Sequence, residues 1–205
     1  LDLLNSEDML DFLAKQSPER IDEPPAKIMR EGPNVELRFL ISSKTAGLII
    51  GKRGESIKKL REEVRPILIL EGDVNSVIEI MHNTLNRQVQ NIQEDCVDVR
   101  LLVHQSQAGC IIGKGGTKIK ELREQSVLKT LKVYQMLCPS STDRVVQLVG
   151  SVSHVFSCLQ AITELLEGAP PKGPRQNYDA RSYDEDLAHD YGGWCMMGMG
   201  TSSGG

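Results

Sequence analysis

The chain has 205 residues, 40% hydrophobic and 25% charged, which is room for one or two small domains. No run of eighteen apolar residues occurs, so no membrane-spanning helix is expected. Five cysteines (Cys96, Cys110, Cys138, Cys158 and Cys195), odd in number and without a C-x-x-C pair, argue against a disulfide framework or zinc site and for reduced thiols in the cytosol or nucleus.

The net charge of −4 is unevenly placed: residues 1–34 carry −4, residues 168–205 carry −2, and the stretch between them is +2. Within it, residues 44–61 hold six bases and one acid, so acidic ends flank a centre with a concentrated basic patch. The sequence opens on Leu1 with no basic-then-apolar leader pattern. Residues 1–34 are expected to be mostly disordered, with one short amphipathic helix in SEDMLDFLAK, capped by Ser6 and stopped at Ser17-Pro18.

From residue 35 the chain repeats itself. VELRFLISSKTAGLIIGKRGESIKKLREEV (35–64) aligns without gaps to VDVRLLVHQSQAGCIIGKGGTKIKELREQS (97–126), with fifteen of thirty positions identical. Two copies of one unit are therefore present, at 35–94 and 95–168. Each opens on a strand, VELRFLI or VDVRLLV, followed by a short apolar helical turn, AGLIIG or AGCIIG, and a tight glycine bend at 51–54 or 113–116. Ile57, Leu60 and Val64, or Ile119 and Leu122, then recur at helical spacing with bases on the opposite face. Each copy closes on a strand and a helix, over about 73–93 and 151–167. Asp73 and Ser151 are the expected caps, and Gly168 with two prolines ends the second helix. Val77, Met81, Leu85 and Val89, and Val152, Val155, Leu159, Ile162 and Leu166, mark the core faces.

The copies differ by an insertion. The offset between them grows from 62 to 78 residues, because copy two contains VLKTLKVYQMLCPSST, a strand pattern at 128–135 and a Cys-Pro-Ser-Ser loop, where copy one has nothing. The last segment, 169–205, is expected to be a disordered Gly/Tyr/Asp-rich tail. It contains a P-x-x-P run at Pro171 to Pro174 followed by Arg175, an SH3-ligand pattern of low specificity.

The glycine bend admits several readings. A Walker-type phosphate loop fails on spacing: three residues rather than four separate Gly47 from Gly51, and Arg53 or Gly115 follows the lysine. Neither copy has the G-x-G-x-x-G of a dinucleotide fold. A plain structural turn with a solvated basic face is one surviving reading. A backbone clamp is the other: glycines let another chain approach the main chain closely, helix-start amides favour anions, and Lys52, Arg53 and Lys114 add positive charge. Ile50, Ile57, Ile112 and Ile119 would supply an apolar floor for flat bases, the combination that a single-stranded nucleic acid needs.

With I-I-G-K-x-G-x-x-I-K-x-L-R-E twice behind an L-R-x-L or V-R-L-L strand, the chain resembles the K-homology (KH) family of RNA-binding domains, and within it the poly(C)-binding, heterogeneous nuclear ribonucleoprotein K branch. The resemblance implies an α+β fold: two tandem type I KH domains, each βααββα, a three-stranded antiparallel sheet with three helices on one face. It implies a groove between the glycine loop with its two helices and the second strand with its variable loop. Carried over residue by residue, it places RNA contacts in copy one at Ile50, Gly51, Lys52, Arg53, Gly54, Ile57, Lys58 and Arg61. In copy two they fall at Gly109, Cys110, Ile112, Gly113, Lys114, Gly115, Gly116, Lys118, Ile119, Lys120, Arg123 and Arg144. Arg123 and Arg144 are the implied cytosine readers, with Arg61 and Arg65 as counterparts. The implied partner is C-rich single-stranded RNA or DNA, in a nuclear, shuttling ribonucleoprotein that acts in mRNA processing or gene regulation. No enzyme, cofactor or metal is expected; the rival reading is a protein-interaction scaffold whose RNA binding is weak or lost.

Copy one departs from the family pattern, because its missing sixteen residues are those that supply the second strand and variable loop. Its strand at 67–70 should then be an apolar edge, and the first copy should bind weakly or be chiefly structural. The linker between the copies is so short that the two units should pack together.

Overall fold

The computed structural model describes residues 34–50, 66–92 and 96–195. The expected acidic N-terminal helix lies outside these residues. Copy one contributes β1 (Asn34–Leu40), α1 (Ser43–Ile50), β2 (Ile67–Asp73) and α2 (Val74–Ile92). Copy two contributes β3 (Val97–His104), α3 (Gln105–Ile112), α4 (Thr117–Ser126), β4 (Thr130–Val133), β5 (Asp143–Gly150) and α5 (Val152–Glu167). The caps are where side-chain chemistry puts them. Asp73 Oδ1 accepts from the Ser76 amide at 3.1 Å, and Ser151 Oγ from the His154 amide at 3.3 Å, each relieving a helix-start donor that has no partner within the helix.

The strands form one antiparallel sheet in the order β2-β1-β3-β5-β4. The opening strands of the two copies pair with each other, Arg38 opposite Leu102, Phe39 opposite Leu101 and Leu40 opposite Arg100. The units therefore pack together, sharing a single sheet. β2 pairs fully with β1, from Asn34↔Asp73 to Leu40↔Ile67, and ends the sheet. The strand that was expected to lose a neighbour is at the edge, and among the described residues no strand covers its outer side. The other edge, β4, is the strand that copy two's insertion supplies.

Alternation along the strands gives the sheet two faces. Phe39, Leu70, Leu101 and Leu148 point to the helix side, where with Leu85 and Ile162 they form one core that runs through both copies. There α2 and α5 lie against each other, with His82 and Phe156 ring centroids 4.9 Å apart. The opposite face carries Leu40, Leu102 and Val145, also buried.

What buries them corrects the expectation of a structureless tail. Past α5 the chain crosses this second face, makes a 3-10 turn (Ala180–Ser182) and forms α6 (Glu185–Tyr191). Tyr191 and Ala188 are fully buried and Tyr178 nearly so, packed with Cys138 against Leu40, Leu102 and Val145. Asp184 caps α6 by accepting from the amides of Asp186 and Leu187, and Gly192 ends it at φ +81°. The physical reason lies in the joined sheet. Pairing β1 with β3 puts Leu40 and Leu102 on one face as diagonal neighbours, each opposite an arginine, and with Val145 they form an apolar patch that Tyr178, Tyr183, Tyr191 and Trp194 cover. Burial, with the Asp143 carboxylate adding to it, pushes the Cys138 thiol up to about 12.

One ion pair locks the seam between the copies. Arg38 donates to both Asp143 carboxylate oxygens at 2.7 Å, with 5% and 0% of the two side chains exposed, and Asp143 Oδ2 also accepts from the Tyr178 amide at 2.7 Å. The P-x-x-P run is solvent-exposed, but Gly173 at φ +89° breaks any continuous polyproline path. The Pro174 carbonyl accepts from His104 Nε2, and Arg175 donates to Glu36.

Candidate nucleic-acid interface

The glycine turn of copy two joins α3 to α4, and three of its four residues have left-handed φ: Gly113 at +73°, Gly115 at +62° and Gly116 at +76°. These are conformations that L side chains adopt only at a cost. At Gly113 a Cβ would come 2.6 Å from Lys118 Cβ and 2.8 Å from its backbone nitrogen, so this glycine lets the turn close on α4. At Gly115 and Gly116 no atom lies within 4 Å of where a Cβ would stand. Two bare main-chain segments thus face open space beside exposed Lys114. Internal bonds hold the turn: the Gly113 amide donates to the Gly109 carbonyl at 2.9 Å and Thr117 Oγ1 to the Lys114 carbonyl at 3.0 Å.

Beside the turn runs a groove of about 570 Å³. Ile112 and Ile119 line one wall and Leu131 and Val133 of β4 the other, with Arg123 and Arg144 at its polar positions. Both guanidiniums are held by carbonyls of the same strand region: Arg123 Nη2 donates to the Leu131 oxygen at 2.8 Å, and Arg144 Nε to the Tyr134 oxygen at 2.6 Å. Each keeps further N–H groups beyond those bonds, and a guanidinium has donors only. Partial burial lowers the Arg144 pKa from its ordinary value; with so basic a group it remains a cation at neutral pH.

Of the positions named from sequence, Ile112, Ile119, Arg123 and Arg144 line this groove. Gly109, Cys110, Lys114, Gly115 and Lys120 are exposed but are not part of its lining, and Gly113 and Gly116 belong to the turn. Lys118 donates to Glu121 at 3.2 Å, an exposed i,i+3 pair that shares its charge. In copy one, Ile50 ends α1, while Gly51, Lys52, Arg53, Gly54, Ile57, Lys58, Arg61 and Arg65 lie outside the described residues. Lys129, Lys132 and Gln135 also line the groove and were not singled out. Their signal was present: the insertion reads L-K-T-L-K-V-Y-Q, with bases bracketing the strand that builds the wall.

Among the described residues no group of three His, Cys, Asp or Glu side chains could hold a metal ion, and no helix is long and apolar enough to cross a membrane. Comparison with protein-family models gives two matches, residues 98–164 and residues 19–85, each described as a KH domain. Together they span well over half of the chain.

Proposed function

We propose, from the premise that this chain belongs to the KH-domain family and carries two tandem copies of that single-stranded nucleic-acid-binding module, that its second copy selects C-rich strands. The observation that carries the reading is the pair of arginines held by backbone carbonyls above an apolar floor, next to the bare glycine turn. The turn and Lys114 take phosphates, Ile112, Ile119 and Leu131 take the base faces, and Arg123 and Arg144 inspect the base edges. Cytosine offers two acceptors, O2 and N3, side by side on its pairing edge. Uracil offers a donor at N3, which repels a donor-only guanidinium.

The sequence of copy one has no counterpart of β4, and its strand opening RPILIL sets Pro66, rather than the expected Arg65, where DRVVQL has Arg144. It serves the protein chiefly by extending the sheet. Such a protein would act on C-rich transcripts as part of a ribonucleoprotein, in mRNA processing or the control of gene expression, in the nucleus and in passage to the cytoplasm.

Replacing both arginines (Arg123→Gln with Arg144→Gln) should reduce the preference for a C-rich over a U-rich oligonucleotide by roughly tenfold or more, on the scale of about 1–3 kcal/mol for a good base contact. Competition binding with the full chain measures it. A preference that survives both changes refutes the role of the arginines. Absence of binding to any single strand by the unaltered protein would favour the scaffold reading instead.

A further inference from the structure

The strap over the second sheet face, residues 178–194, reaches one of the groove arginines through the sheet. Tyr134 follows β4 directly, and its main chain straddles β5: its amide donates to the Val145 carbonyl at 2.9 Å, and its carbonyl accepts Arg144 Nε at 2.6 Å. Its ring lies on the strap side, where the hydroxyl donates to Gln147 Oε1 at 3.0 Å. Gly192 sits so close to that ring that a Cβ there would be 2.5 Å from two ring carbons. The strap end is fastened beside it by Arg100, which donates to the carbonyls of Gly192 (3.1 Å) and Gly193 (2.6 Å) and lies 3.7 Å from the centroid of the Trp194 ring. Trp194 in turn donates from its indole nitrogen to the Leu40 carbonyl at 3.1 Å. Asp98 accepts from both Arg100 and Gln147, which ties the fastening to the Tyr134 hydroxyl.

We propose that this strap acts on base selection from outside the groove: Gly192, seated on the Tyr134 ring, fixes the carbonyl that aims Arg144 into the groove, which makes Gly192 and Trp194 positioning residues for that arginine. The inference rests on the reading of Arg144 as a base reader. Only a residue without a side chain fits at Gly192, and its φ of +81° favours glycine a second time. The segment leading into the strap also holds the loop after Tyr134, since the Thr142 amide donates to the Gln176 carbonyl at 2.8 Å. Lys114 and the glycine turn are on the helix side of the molecule and take no part in the fastening. Loosening the strap therefore changes which base is preferred and leaves the phosphate grip intact.

The test uses the full chain with Gly192→Ala and, separately, Trp194→Ala, each checked for folding by its thermal transition. Trp194 is the only tryptophan, so its emission reports whether the strap is displaced in Gly192→Ala. The expected result is a drop of about fivefold in C-rich over U-rich preference in each variant, with U-rich affinity and the slope of binding against salt unchanged. In an Arg144→Gln background neither change should reduce the preference further. Folded variants that keep the preference, or that lose C-rich and U-rich binding equally, overturn the relay while Arg144→Gln still shows its own loss. If Arg144→Gln alone keeps the preference, the base-reading role falls and the relay falls with it.

Discussion

The chain carrying Lys114→Asp and Gly115→Asp should bind a C-rich oligonucleotide at least about a hundredfold more weakly at physiological salt, and still unfold cooperatively close to the temperature of the unaltered chain. The first part follows from electrostatics at a bare main chain. Two carboxylates placed where the strand's phosphates must approach replace attraction by repulsion and obstruct the open space at Gly115. The second part follows from exposure. Among the described residues no acid pairs with Lys114, and both positions face solvent. Asp is among the few residues that tolerate the left-handed φ of +62° at Gly115, at about 1 kcal/mol. The residual affinity should also depend less steeply on salt, by about one unit of log–log slope for each phosphate that the variant no longer neutralises. Unchanged affinity in the folded variant would rule out the glycine turn as a phosphate clamp, and global unfolding would show it to be a structural turn.

The largest loss of stability is expected from breaking the Arg38–Asp143 pair on one side only. Replacing Arg38 by Met leaves the Asp143 carboxylate fully buried, accepting from the Tyr178 amide and without its counter-charge. An uncompensated charge of this kind costs about 3–5 kcal/mol, equivalent to roughly 10 °C or more in the melting temperature of a domain this size. Replacing both partners with apolar residues (Arg38→Met with Asp143→Leu) should cost far less, because it removes the desolvated charges together. Thermal unfolding of the two single variants and the double variant provides the cycle. Single variants that each lose less than about 1 kcal/mol would show that the pair is solvated and does not lock the seam. Binding should suffer as well, since Asp143 opens the strand whose next residue is Arg144: a loosened seam moves the groove.

The repeat made the units legible. The glycine turn, the Asp73 and Ser151 caps, the edge position of β2 and the wall formed by the insertion were all readable, because each is dictated by local residue chemistry or by comparing one copy with the other. The face of the sheet beyond the helices was not. VELRFLI and VDVRLLV both place an Arg-x-Leu on their outer side (Arg38 and Leu40, Arg100 and Leu102), and within either copy alone this looks like a solvated strand face. Its meaning comes only from β1 pairing with β3, across sixty residues of sequence or more, which no local periodicity encodes. The C-terminal segment was misread for the same reason. Gly, Asp and Pro are frequent in it, and its aromatic side chains, Tyr178, Tyr183, Tyr191 and Trp194, gain a place only on a surface that two copies build jointly. Arg123 and Arg144 could be named from sequence, but the carbonyls of Leu131 and Tyr134 that hold them could not, since a backbone acceptor leaves no residue signature.

The most direct test of where the strand lies is a backbone NMR titration of the full chain with a short C-rich oligonucleotide. The resonances that move most should belong to residues 113–116, Ile119, Arg123 and the β4 residues around Leu131, with those of β2 nearly still. Large shifts confined to the strap or to β2, with residues 113–116 unmoved at saturation, would contradict a strand seated on the glycine turn and its groove.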